Sequence, residues 1–350
     1  MAPIDLKAAL SLTHPILLAP LGGGPSTPEL VAAVSSAGGF GWLAAPYLAP
    51  DAIREAVRKL RALTSRPFGV NLFAGGWSRE RPAEAPEPLS FIARYHARLG
   101  LPPPALPDVP PDPFPAQLEV VLDARPAAFS FTFGIPPPEA MEALRSRGIL
   151  TFGTATCVRE AQLLAEAGVD GVLAQGAEAG GHRGTFAAAL EEGLIPARQL
   201  VAEIRRAVPL PVVATGGIMD GRDIRAALDA GAAAAQLGTA FLACPESGAS
   251  AAYKQALLSA GADTTVLTRA FSGRWARGLK NEFTDAAAQR PEVILPYPAQ
   301  NQLTRAMRQA ANQKGEPAML SLWAGQGVAR IRALHAGDLV RALADELQAA

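Results

Sequence analysis

PVVATGGIMDGRDIRAALDAGAAAAQLGTAF, residues 211–241, sets two short apolar runs on either side of one amphipathic stretch. The runs PVVATGG (211–217) and AAAQLGTAF (233–241) carry glycine where each apolar stretch ends. Between them, DGRDIRAALDAG (220–231) opens on Asp and closes on Gly, the punctuation of a helix. Its apolar residues recur at helical spacing. A strand, a helix and a second strand in this order form a crossover, the connection that parallel neighbours require.

The same unit repeats toward the N-terminus. The runs PILLAPL (15–21), FGWLAA (40–45), FGVNLF (68–73), AAFSFTFG (127–134), ILTFGTA (149–155) and GVLAQG (171–176) bring the strand count to eight. Helical patterns separate them: TPELVAAVSSAG (27–38), PDAIREAVRKLRAL (50–63), PPEAMEALRSRG (137–148), CVREAQLLAEAG (157–168) and PARQLVAEIRRAV (196–208). Eight strands with crossover helices predict a (β/α)8 TIM barrel of the α/β class. An open doubly wound sheet is the structural alternative.

Two segments break the alternation. Residues 74–115 are Pro-rich (PAEAPEP, LPPPALPDVPPDPFP) and hold a helical patch, LSFIARYHARLG (89–100), which predicts an insertion over one end of the barrel. Residues 245–325 hold helical stretches and the loop TRAFSGRWARGLKN (268–281), read as a small helical capping subdomain. The organisation expected is therefore a barrel over 1–244, a cap over 245–325 and a closing C-terminal helix over 326–350.

Composition narrows the function. A chain of 350 residues, 49% hydrophobic, has ample material for one large core. Its formal net charge of zero argues against a general nucleic-acid binder. Two cysteines, Cys157 and Cys244, make no disulfide framework, which predicts a reducing compartment. The N-terminus lacks the pattern of a signal peptide, and no stretch of ~18 apolar residues predicts a membrane span. The chain reads as a soluble cytoplasmic protein with no membrane or nucleic-acid partner.

In a barrel, chemistry gathers at the C-terminal ends of the strands. The first strand ends in Pro20, Leu21, Gly22, Gly23 and Gly24, where glycines let backbone amides approach a flat ring or an anion, or simply make a tight turn. Asn71 closes the third strand. The sixth ends in Gln175, followed by Gly176, Ala177, Glu178, Ala179, Gly180, Gly181, His182, Arg183 and Gly184. Small residues there clear space, and a histidine exchanges protons near neutral pH. His14 stands at a strand start, His96 in the insertion and His335 in the last helix, so only His182 lies where catalysis is expected. Thr215, Gly216 and Gly217 end the seventh strand, and Gln236, Leu237, Gly238 and Thr239 end the eighth. Loops in these two places often hold a phosphate, although packing alone also selects glycine.

Other chemistries find no support. GFGWLA at Gly39 fits a loose dinucleotide pattern but precedes a strand instead of following one. No phosphate-binding G-x-x-x-x-G-K-[ST] loop, zinc spacing or G-x-S-x-G elbow occurs. Arg183, Arg274, Arg277 and Lys280 would attract an anion unless they are merely solvated. Tyr253, Trp275, Tyr297 and Trp323 would wall a pocket or serve as ordinary core.

Taken together, APLGGGPSTPELVAAVSSAGGFG, FSFTFG, GTATCVREAQLLAEAGVDGVLAQGAEAGGHRGTF, QLGTAFL and TRAFSGRWARGLKN resemble the motif set of nitronate monooxygenases, formerly called 2-nitropropane dioxygenases. The resemblance runs from about Pro15 to Gly327, and AQGAEAGGHRG is its most specific part. It implies an FMN-dependent flavoprotein that oxidises alkyl nitronates, propionate 3-nitronate among them, with O2 to a carbonyl compound and nitrite. It implies FMN against Leu21, Gly22, Asn71, Gln175, Gly180, Gly181, Gly216, Gly217 and the run Gln236, Leu237, Gly238 and Thr239, with His182 as catalytic residue and no metal. Leu21 stands where the family commonly has Met, a swap that conserves volume. An FMN-dependent NAD(P)H reductase of enoyl thioesters or quinones, and a flavin-free phosphate-binding isomerase or lyase, are the competing functions on the same barrel.

Overall fold

The structure, a computed structural model, describes residues 4–78 and 84–350. The part of the expected insertion at 79–83 lies outside the described residues. In chain order the strands are β1 (Ile16–Leu18), β2 (Phe40–Ala44), β3 (Phe68–Phe73), β4 (Ala128–Thr132), β5 (Leu150–Ala155), β6 (Gly171–Gln175), β7 (Gly181–His182), β8 (Val212–Thr215), β9 (Ala234–Leu237), β10 (Thr265–Thr268) and β11 (Ala276–Leu279). Eight of them close a parallel barrel in the order β1-β2-β3-β4-β5-β6-β8-β9, the eight runs read from the sequence. The ring shuts between β1 and β9, with Leu17 opposite Gln236 and Leu18 opposite Leu237.

The strands are mostly apolar because both of their faces are buried. One face packs against the helices in a continuous layer that includes Leu18, Val70, Phe129, Val172, Val212 and Leu237. The other fills the barrel interior with Leu17, Phe40, Trp42, Phe152, Leu173 and Val213. Leu6, Leu10 and Leu12 from the N-terminal segment join this inner cluster. Each buried aromatic ring there stabilises the fold by roughly 1.5–3 kcal/mol. Gly69 makes room for one of them, since a Cβ at that position would stand 2.2 Å from the Trp42 ring.

The cap has its own apolar cluster. The helix Pro86–Leu99 of the insertion contributes Phe91, Ile92 and Tyr95, and the later segment contributes Phe271, Phe283 and Met307. Rings run in series from this cluster toward the barrel mouth: Tyr95 to Phe283 at 5.0 Å, Phe283 to Phe271 at 4.9 Å, Phe271 to Trp323 at 5.7 Å. The capping segment is helical over Ala251–Leu258, Glu282–Ala288 and Arg305–Lys314. It also supplies β10 and β11, which with β7 from the barrel form a three-stranded ribbon, β10-β11-β7, into which the loop TRAFSGRWARGLKN folds.

The C-terminal helix spans Ala336–Ala349 and packs against the barrel helices Pro28–Ser36 and Gly221–Asp229. The helix expected from 326 does not form before Ala336, apart from one 3-10 turn at Val328–Arg330. Arg330 donates to Asp220 Oδ2 and the Gly217 carbonyl, and Arg332 to the Met219 carbonyl, which draws this stretch along the barrel rim. Among the described residues no helix is long and apolar enough to cross a membrane.

Candidate active site

A cavity of about 1130 Å³ opens over the C-terminal ends of the barrel strands. Leu21, Gly22, Asn71, Gln175, Gly180, Gly181, His182, Gly216, Gly217, Gln236, Gly238 and Thr239 all line it. Leu237, expected from the sequence to contact the cofactor, is not among the residues that line it. Side chains alternate along a strand, so Gln236 reaches the cavity side while Leu237 packs, 1% exposed, in the layer between strands and helices.

His182 is half-buried and belongs to β7, which pairs with β11 through Ala276 opposite His182 and Arg277 opposite Gly181. Gln175 at the end of β6 secures the same loop from the barrel side. Its Nε2 donates to the His182 carbonyl at 2.9 Å and its Oε1 accepts from the Gly184 amide at 2.8 Å. The His182 ring lies edge-on to Phe73 and Phe133, at 6.3 and 5.8 Å, and 5.4 Å from Trp323. Its Nε2 shares a hydrogen bond of 2.8 Å with Ser272 Oγ. Burial among these rings, then the positive charges of Arg274 and Arg308, push its pKa down to about 3. The imidazole is therefore neutral at physiological pH.

The four cations singled out in the sequence fare differently. Arg183 is buried and holds the loop by donating to the carbonyls of Gly176, Gln175 and Gly193, at 2.6, 3.0 and 2.8 Å. Arg277 donates to the Ala177 carbonyl at 3.2 Å. Lys280 is exposed and pairs with Asp285 at 3.5 Å. Only Arg274 sends its charge toward His182. Of the aromatic residues, Tyr253 and Trp323 line the cavity, joined by a bond from the Tyr253 hydroxyl to the Trp323 carbonyl. Trp275 is exposed, and Tyr297 is buried beside Trp77, their ring centroids 5.6 Å apart.

The sequence reading missed Ser272 and Arg308. Ser272 sits in a Ser-Gly turn of the ribbon, a position that carries no signal for a partner 90 residues away. Arg308 lies on the polar helix Arg305–Lys314, where a basic residue reads as solvated, yet it lines the cavity and burial lowers its pKa to about 10.

The residues present fit a flavin and its phosphate. Gln236 Oε1 is buried with no hydrogen-bond partner among the described residues, and it stands at the cavity wall. Asn71 is fixed by Nδ2 bonds to the Ser130 carbonyl and hydroxyl, at 3.2 and 2.9 Å. A Cβ at Gly238 would touch only Leu21 and Ala19 at ordinary contact, so its vacant volume belongs to the cavity. Thr239 Oγ1 accepts from the Gly325 amide at 2.9 Å, which leaves its proton as a donor.

Comparison with known proteins follows this geometry. A family model described as nitronate monooxygenase matches residues 5–346. The chain is 44% identical to a nitronate monooxygenase of Pseudomonas aeruginosa, over 97% of both chains. It is 41% identical to one of Paraburkholderia phytofirmans, over 98% of this chain and 94% of that one. Among solved structures it resembles a nitroalkane oxidase from Streptomyces ansochromogenes, with TM-score 0.91 and 43% identity over 99% of this chain and 98% of that one. FabK from Thermotoga maritima is similar at TM-score 0.77 and 26% identity, covering 100% of this chain and 97% of that one.

Proposed function

The chain belongs to the nitronate monooxygenase family, and from its site we propose that it oxidises alkyl nitronates with O2 to a carbonyl compound and nitrite, using FMN. Propionate 3-nitronate falls within the substrate class. The observation that carries this reading is His182 at the wall of a cavity that Arg308 also lines, with the charges of Arg274 and Arg308 acting on the imidazole. FMN, when bound, supplies the redox chemistry. Its phosphate is assigned to Gly217, Gly238 and Thr239, and its ring system to Leu21, Asn71, Gln175, Gly180 and Gln236, all of which line the cavity.

The protein's own part is to hold and orient the substrate. Ser272 Oγ lies 3.2 Å from the Arg274 carbonyl, to which it donates. We assign His182 the tautomer in which Nε2–H donates to Ser272 Oγ and Nδ1 keeps its lone pair. A nitronate is already an anion, so His182 has only to orient it, while Arg274 and Arg308 offset its charge. With a neutral nitroalkane the α C–H bond must break first, its electron pair moving into the nitro group and its proton to Nδ1. Cys157 and Cys244 are buried and unpaired, which suits a reducing, cytoplasmic setting.

The test is His182→Asn, assayed with both substrates after its FMN content has been matched to wild type. The loss in kcat/KM should be large with the neutral nitroalkane, in the ~10²–10⁴-fold range of a general base. It should be smaller with the pre-formed nitronate. Equal and slight losses on both substrates would remove His182 from the mechanism.

A further inference from the structure

The charge beside His182 is built with unusual care. Phe133, just past the end of β4, has φ +74°, a left-handed backbone that a bulky side chain rarely adopts and that costs roughly 1–3 kcal/mol. Its ring packs 4.5 Å from Phe73 and beside His182, and Arg274 Cζ lies over its face at 4.0 Å. On another side the guanidinium faces the Tyr297 ring at 5.5 Å. The remaining space is Gly76, where a Cβ would stand 1.4 Å from Arg274 Nη2. A side chain at residue 76 and the guanidinium cannot occupy that slot together.

The same arginine is tied to His182 through its backbone. Ser272 Oγ accepts from the Arg274 amide at 3.3 Å, donates to the Arg274 carbonyl and meets His182 Nε2. Among the described residues no carboxylate pairs with Arg274. A cation that is half-buried and stacked between two rings is placed to act on its surroundings.

We propose that Arg274 is a positioning residue for His182: clamped between Phe133, Tyr297 and the Gly76 slot, it fixes a positive charge beside the imidazole and orients the ring through Ser272. The inference rests on His182 as the reacting group. The other groups facing His182 are accounted for. Arg308 acts on it from the helix Arg305–Lys314. Arg183 and Arg277 on the ribbon turn to the carbonyls of Gly176 and Ala177, where Glu178 acts on both. Tyr47 and Tyr297 act on Arg274, and Phe73, Phe133 and Trp323 are uncharged.

The experiment is an NMR titration of ring-labelled histidines in the FMN-loaded protein, with the His182 resonance assigned by its absence in His182→Asn. The readout requires no turnover, so it stands apart from the nitronate reading. In wild type His182 should stay neutral well below the pH at which free histidine titrates. In Arg274→Met its proton affinity should rise at least tenfold, and Arg274→Lys should restore most of the wild-type behaviour. Phe133→Leu, which loosens the stack without removing the charge, should give a smaller rise and serves if Arg274→Met does not fold. An acid limb in kcat/KM should move in parallel. A His182 titration unchanged in both Arg274→Met and Phe133→Leu, or in whichever of them folds, would overturn the proposal.

Discussion

Gly238→Val separates a glycine kept for a ligand from one kept for the fold. Gly238 joins β9 to the short helix Thr239–Leu242 with φ −109° and ψ −70°, a negative φ that does not reserve the position for glycine. A Cβ built there stands 3.4 Å from Leu21 Cδ2 and 3.5 Å from Ala19 Cβ, so the barrel accommodates it. Stability should therefore change by no more than about 1 kcal/mol. The two extra methyl groups of valine enter the cavity, where they block approach of a phosphate to the amides at this turn. A hydrogen bond to a charged group contributes about 1.5–3 kcal/mol, so losing one should raise the Kd for FMN roughly ten- to hundredfold. Fluorescence titration of the apoprotein with FMN measures this, beside a thermal melt of the same preparation. An unchanged Kd in a folded variant would place the phosphate elsewhere.

Two further outcomes follow from the geometry of the His182 loop. Gln175→Leu removes both side-chain bonds that secure it; kcat should fall about tenfold or more while the barrel melts nearly as before, and a variant with unaltered kcat would show that β7 holds His182 without help. The second concerns pH: the folded pKa of His182, about 3, lies below the 6.5 of a free histidine, so between these values the unfolded chain binds more protons. The His182 contribution is fully present above pH 6.5 and is lost as pH falls toward 3, by up to about 1.4 kcal/mol per unit. His182→Asn should accordingly flatten the acid side of apoprotein stability by about 2 kcal/mol between pH 6.5 and 4.5, as read from urea unfolding. Parallel wild-type and variant curves would mean that the ring is not held neutral.

The barrel was legible because parallel strands are buried on both faces and so appear as unbroken apolar runs bounded by glycine and proline. His182 was legible for a different reason: of four histidines it alone follows a strand end. What the sequence concealed depends on long-range pairing. The two residues of β7 carry no strand signal, and they become a strand only because Ala276 and Arg277 come alongside. Ser272 and Arg308 gain their roles from the same return of the cap over the barrel mouth. Arg183 and Lys280 look alike in sequence, yet one is buried against three carbonyls and the other is exposed beside Asp285. The side-chain direction of Leu237 was not legible because a short run such as AAAQLGTAF does not reveal which parity faces the interior; the register with β1 decides it.

If His182 is the base in the proposed reaction, its strength bears on which substrate the site favours. A general base works best with a pKa near the working pH, because rate rises with basicity until the proton is already bound. His182, at about 3, is neutral at pH 7 but only weakly basic. Once it takes a proton it stands as a cation beside Arg274 and Arg308, and only an anion in the cavity compensates for three neighbouring positive charges. Proton abstraction thus becomes favourable to the extent that the nitronate it creates stays in place. A nitronate that arrives ready-made meets the same positive field without this cost. The electrostatics therefore rank the substrates: pre-formed nitronates should react with the higher kcat/KM in the wild-type protein, and the preference should narrow in Arg274→Met, where the base strengthens as the field weakens.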